Sequence, residues 1–166
     1  ETSAGMMLPD DYIKTLANAA HEVGALFVLD CIASGAMWVD MQDLGVDVLV
    51  SAPQKGWSST PSAGLVMMSQ AAVTRLGETK ADSFAVDLAK WHSIMGAYLA
   101  GGHAYHATMP TDSLRAFRDA LIETRDYGFD KLKQAQIELG KGIRDVLSQR
   151  GFRFVAAPGF EAPGVV

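Results

Sequence analysis

The sequence predicts an α/β fold. Short, nearly continuous apolar runs ("FVLD", "DVLVS", "GLVMM") read as strands. The segments before, between and after them carry apolar residues at helical spacing. Strand-like and helix-like stretches alternate along most of the chain, as layered α/β domains require.

The elements follow in order. Pro9-Asp10-Asp11 suits a helix start, with proline in the first turn and carboxylates at the positive end of the macrodipole. Ile13, Leu16, Ala17, Ala20 and Val23 recur at helical spacing, and Gly24 suits the C-terminal stop. The run 25–30 (ALFVLD) reads as a strand covered on both faces. Residues 41–51 (MQDLGVDVLVS) read as one turn of helix leading into a second strand, and 63–69 (AGLVMMS) as a third. "QAAVTRL" begins another helix. Residues 80–102 lack a clean period and read as irregular, with helix around 88–98. Pro110-Thr111-Asp112-Ser113 starts a further helix through Leu114, Phe117 and Leu121, and Gly128 interrupts it. A long pattern from Phe129 to Leu147 follows, then "FRFVAA" as a strand. The change of pattern near residue 125 places a domain boundary there, dividing 1–125 from 126–166.

The totals narrow the functional classes. Apolar residues make up 49 % and charged residues 20 % of the 166, a globular composition. A net charge of −5 without any basic run disfavours nucleic acid and anionic membrane surfaces. One cysteine, Cys31, excludes an internal disulfide framework and suits a reducing, cytoplasmic compartment. The longest apolar stretch, 25–39, contains Asp30 and is too short to span a bilayer. A start at Glu1 and an end within "FEAPGVV" suggest a piece of a longer polypeptide.

In open α/β sheets, ligands sit beyond the carboxyl ends of the strands. Asp30 and Ser51 end the first two strands, and Lys55 follows in the next turn. A carboxylate and an amine so placed suit a structural ion pair. They equally suit the two fixed points of pyridoxal phosphate: an amine for its aldehyde and an anion against its ring nitrogen. Such a lysine must shed its proton to act as nucleophile or base, which desolvation and nearby positive charge promote. Lys55 also reads as a surface lysine, and Asp30 as a helix N-cap.

The motifs "ETSAG", "FVLDCIAS", "DVLVSAPQKGW" and "YHATMP", in this order, resemble the class V aminotransferases of pyridoxal-phosphate fold type I. The alanine–glyoxylate and serine–glyoxylate branch is the most similar. The resemblance implies the carboxyl-terminal half of a large mixed-sheet domain (1–125) plus the start of a small α+β domain (126–166). It implies pyridoxal 5'-phosphate as cofactor, with Lys55 forming the Schiff base and moving the proton at the substrate α-carbon. Asp30 would pair with the pyridine nitrogen, Ser3 approach the 3-oxygen, Ile32 pack on a ring face and Gln54 reach the phosphate. Tyr105 and Thr108 would bind the phosphate of a neighbouring subunit's cofactor, implying a homodimer with shared sites. Ser34 lies close by.

The expected reaction moves an amino group between a small amino acid and a 2-oxo acid such as glyoxylate or pyruvate. The family's phosphate loop and stacking aromatic lie upstream of the first motif, and its substrate-binding arginine downstream, so residues 1–166 are expected to lack all three. Alternatives are a lyase or cysteine desulfurase on the same scaffold, and an inactive piece serving as a dimerisation module. Desulfurases of this superfamily usually carry histidine where Gln54 stands, and their catalytic cysteine sits on a mobile loop, whereas Cys31 follows a strand. His103 and His106 lack a third ligand at metal-site spacing and are read as structural. Trp38, Trp57 and Trp91 are read as packing residues, and the stripe along 132–147 as core packing or contact with the rest of the small domain.

Overall fold

A computed structural model describes residues 4–166. Six helices and three strands occur among them: α1 (Asp10–Glu22), β1 (Val28–Asp30), α2 (Met41–Leu44), β2 (Val48–Ser51), β3 (Leu65–Met68), α3 (Gln70–Gly77), α4 (Leu88–Leu99), α5 (Thr111–Tyr127) and α6 (Phe129–Gln149). The sheet is mixed, in the order β1-β2-β3. β1 runs parallel to β2, with Asp30 opposite Val50, and β2 runs antiparallel to β3. The parallel pair is what matters for the site, because it brings the chain out at one edge after Asp30 and again after Ser51.

Local chemistry explains the boundaries. α1 opens at Pro9, with Asp10 and Asp11 in its first turn, and closes where Gly24 at φ +70° donates its N–H to the His21 carbonyl. The Asp40 side chain caps α2 by accepting from Asp43 N–H, and Gly45 at φ +71° turns the chain into β2. Ser69 and Asp87 cap α3 and α4 in the same way. Gly128, at φ +103°, separates α5 from α6.

The core beneath the sheet joins Ile13, Leu44, Val46 and Leu49, with Leu8, Phe27, Leu29, Cys31, Val39 and Met41 packed around them. α1 and α2 therefore cover the sheet face that carries Leu29 and Leu49. Of the α1 stripe, Ile13 and Ala17 are buried, while Leu16 and Val23 are exposed.

Two strand expectations need correction. The run 25–30 is covered on one face only: Leu29 packs into the core, whereas Val28 is exposed. Its regular ladder is also shorter, because Phe27 bonds through its N–H to the Asp47 side chain and through its carbonyl to the N–H groups of Asp47 and Val48. "FRFVAA" forms no strand. Phe152 and Val155 are exposed, and no extended segment lies beside them among the described residues. A strand without a partner leaves its backbone groups unpaired, so pairing occurs further on instead. Met7 N–H donates to Phe160, Ala162 N–H donates to Gly5, and Met6 bridges Glu161. Arg144 holds the chain end by donating to the carbonyls of Ala162 and Val165.

Candidate active site

β1 delivers Asp30 to the carboxyl edge of the sheet. Cys31 N–H still bonds to the Val50 carbonyl, and beyond it residues 31–39 form a loop over that edge. β2 ends at Ser51, and the following turn carries Gln54, Lys55 and Gly56. Both exits open on a cavity of about 470 Å³, whose lining includes Asp30, Ile32, Ser34 and Lys55.

Asp30 Oδ1 accepts the N–H of Ile32 at 2.9 Å, which fixes the carboxylate at the start of the loop. Its other oxygen has no partner among the described residues. Lys55 is exposed and belongs to no ion pair among the described residues, so the two groups are not locked to each other. Ile32 and Leu29 supply apolar wall. Ser34 is buried, and its hydroxyl donates to the Cys31 carbonyl at 2.8 Å, so it shapes the loop. Burial pushes the Cys31 thiol up; the nearby Asp30 charge acts in the same direction and the Ser34 hydrogen bond opposes it.

Other expected site residues lie elsewhere. Ser3 is outside the described residues. Gln54 is exposed and does not line the cavity. Tyr105 and Thr108 sit between α4 and α5, away from the cavity lining. Their hydroxyls are 3.1 Å apart, and Tyr105 is 75 % exposed. His106 stacks near Phe84 at 4.2 Å and Trp91 at 5.0 Å, and its Nε2 lies 3.1 Å from the Phe84 carbonyl oxygen.

The aromatic residues hold the helices onto this edge. Trp57, two residues past Lys55, lies 4.9 Å from Trp38 and 6.1 Å from Phe117 of α5. Trp38 also meets Phe129, and its indole N–H donates to the Phe129 carbonyl. α6 thereby reaches the cavity, where Lys133 joins the lining. Gln136, one turn further on, bonds to the 31–39 loop. Sequence reading took neither Lys133 nor Gln136 as a site residue. Each is an ordinary polar position on a long amphipathic helix, and only the packing of α6 brings it to the edge. Along the same helix Leu139, Ile143 and Val146 are exposed, so this part of the stripe is not core packing within the described residues.

A carboxylate and an amine thus stand at adjacent parallel strand ends and line one cavity. Residues 2–164 match the family model for aminotransferase class V, and the chain belongs to that family. It is 32 % identical over 130 residues to a 2-aminoethylphosphonate–pyruvate transaminase of Vibrio parahaemolyticus, covering 77 % of this chain and 33 % of that protein. It is 29 % identical over 169 residues to the alanine–glyoxylate aminotransferase of Oryctolagus cuniculus, covering 99 % of this chain and 42 % of that one. The crystal structure of an alanine–glyoxylate aminotransferase from Nostoc sp. superposes with a TM-score of 0.84 at 25 % identity, over 98 % of this chain and 42 % of that one. The chain thus spans less than half the length of these relatives. The phosphonate-handling relatives were not anticipated from the motifs.

Pyridoxal phosphate is the cofactor of the family. The described residues fit it. They provide an anion with a free oxygen, an amine, an apolar wall and a cavity within the usual size range for small-molecule sites. Among the described residues, no helix is long and apolar enough to cross a membrane.

Proposed function

We propose that the protein carrying this chain is a pyridoxal-phosphate-dependent aminotransferase. It moves an amino group between a small amino acid and a 2-oxo acid such as glyoxylate or pyruvate. The observation that carries this reading is the convergence of Asp30 and Lys55, from neighbouring strand ends, on one cavity.

When bound, the cofactor supplies an electron-withdrawing ring for the electron pair left at the substrate α-carbon. Asp30 holds a proton at the ring nitrogen through the oxygen that Ile32 N–H leaves free. Lys55 would hold the cofactor through its aldehyde carbon; displaced from it by the substrate amine, the freed lysine amine would take the α-proton and deliver it one carbon away. Ile32 covers a ring face and keeps water off it. By resemblance to the family, Ser3 would serve the 3-oxygen and Gln54 the phosphate. Tyr105 and Thr108 serve the phosphate of a second subunit's cofactor in a homodimer with shared sites. Their position outside the cavity, with Tyr105 exposed, supports service to a neighbour rather than to their own site. A cofactor-binding domain to about residue 125 would be followed by a small domain; α5 runs on to Tyr127, and the Gly128 turn after it supports a break at that point. A lone cysteine supports a cytoplasmic setting.

Sulfur transfer from cysteine is less well supported. It needs an accessible thiolate on a mobile segment, and Cys31 directly follows a strand with its thiol pushed up by burial.

The test uses the full-length protein. Wild type is expected to show the near-visible absorption of a lysine-bound cofactor and to transaminate glyoxylate or pyruvate, and Lys55→Ala is expected to lose both. A Lys55→Ala protein with full turnover would overturn the assignment.

A further inference from the structure

Gln136 lies on α6, a hundred residues beyond the loop it contacts, yet its side-chain amide is fitted to that loop. Oε1 accepts the Ala36 N–H at 2.9 Å, and Nε2 donates to the Ser34 carbonyl at 3.4 Å. Ser34 and Ala36 are both buried. Between them Gly35 adopts φ +65°, and a Cβ there would stand 2.5–2.9 Å from the Gln136 amide atoms. The positive φ suits glycine, and a Cβ would displace the Gln136 amide from its two hydrogen bonds.

The other side of the same peptide is also closed. A Cβ at Gly56 would overlap the carbonyl group of Gly35. Gly56 directly follows Lys55. An unbroken series of tight contacts therefore runs from α6 through Gly35 to the lysine-bearing turn. The loop at its centre begins at Asp30.

We propose that Gln136 is a positioning residue, which clamps the Gly35 peptide against Gly56 and so sets the Lys55 turn relative to Asp30. This inference rests on the aminotransferase reading above. It adds that α6, the first helix after the Gly128 turn, acts on the geometry of the lysine–carboxylate pair without touching the reacting atoms. Movement of α6 would be felt at the Lys55 turn through the Gln136 amide, alongside the Phe129–Trp38–Trp57 packing.

The experiment compares wild type, Gln136→Ala, Gln136→Glu and the control Gln134→Ala in the full-length protein. Gln134 lies on the same helix and, among the described residues, its side chain bonds to Glu138 alone. Pyridoxal phosphate is titrated into each cofactor-free protein, and the pH dependence of the lysine-bound absorption is followed. Thermal unfolding of the cofactor-free forms is recorded in parallel. Loss of both hydrogen bonds in Gln136→Ala is expected to weaken cofactor binding about tenfold or more and to shift the absorption pH midpoint. Gln136→Glu keeps the acceptor for Ala36 N–H and is expected to fall between Gln136→Ala and wild type, while Gln134→Ala matches wild type. A Gln136→Ala protein that is less stable but unchanged in affinity and pH midpoint would overturn the positioning role alone. Wild type that takes up no cofactor on Lys55 would overturn the aminotransferase reading and this role with it.

Discussion

Two carboxylates sit at opposite ends of the parallel strand pair, each near a basic side chain, and their surroundings differ completely. Asp47, at the entry to β2, is buried and fully engaged. It accepts from Phe27 N–H at 2.9 Å and Ser69 hydroxyl at 2.9 Å, and His21 Nε2 lies 2.7 Å away. Its own carbonyl takes the Ser69 N–H. Asp30, at the exit of β1, is exposed, uses one oxygen on its own loop and has no partner for the other among the described residues. Lys55 nearby is likewise unpaired among the described residues, whereas His21 is bonded to its carboxylate. A carboxylate that ties together three segments is saturated and has nothing left for a ligand. One that is anchored by one oxygen and faces a cavity is held ready for a ligand. The contrast supports the proposed roles, Asp47 as a structural acid and Asp30 as a ligand-binding one, in a way that residue type alone does not.

The sharpest way to break this contrast is to remove each group and ask what fails. Lys55→Ala is expected to lower kcat by at least about 10³-fold, since it removes both the anchor and the proton carrier, with little change in unfolding temperature. Asp30→Asn is expected to lower kcat about 10²-fold by withdrawing the anion from the ring nitrogen, again with the fold intact. Steady-state kinetics alongside calorimetry would separate these two from Asp47. Asp47→Asn is expected to do the reverse. It should cost about 1–3 kcal/mol of stability, because partners of the buried carboxylate lose their acceptor, while turnover per folded molecule is kept. Denaturant unfolding would measure it.

The same contrast has a pH signature. Burial alone would raise the Asp47 carboxyl, but the hydrogen bonds from Phe27, His21 and Ser69 outweigh it and hold the carboxyl below its usual value. Folding therefore favours the ionised form. Its contribution is complete above the unfolded-state pKa and is lost as pH falls through the folded one. Stability is expected to decline in acid below about pH 4, and Asp47→Asn is expected to flatten that decline. Chemical denaturation at several pH values would show whether the slope changes.

The legibility of the two ends in the sequence follows the same line. Asp30 and Lys55 could be read because strand exits are marked by where apolar runs stop, and the chemistry needs those residue types there. The Asp47 junction could not be read. Asp47 looks like one polar residue within "GVDVLV", and its partners lie 20 to 26 positions away. Helix starts at Pro9 and Pro110 and the stop at Gly24 were legible from local chemistry. The "FRFVAA" strand was misread because composition reports a preference for extended backbone, and a strand also needs a neighbour. Gln136 was invisible for a related reason: its importance depends on two glycines, one of them beside Lys55, that only the fold brings together.

The central claim is that Lys55, rather than any other amine, holds the cofactor. Reducing the pyridoxal-phosphate-loaded full-length protein with borohydride and locating the added mass on the digested peptides tests it directly. The expected result is a pyridoxyl group on the peptide containing Lys55, absent from Lys55→Ala. A stoichiometric pyridoxyl group on Lys133 or another lysine, with Lys55 unmodified, would contradict the account.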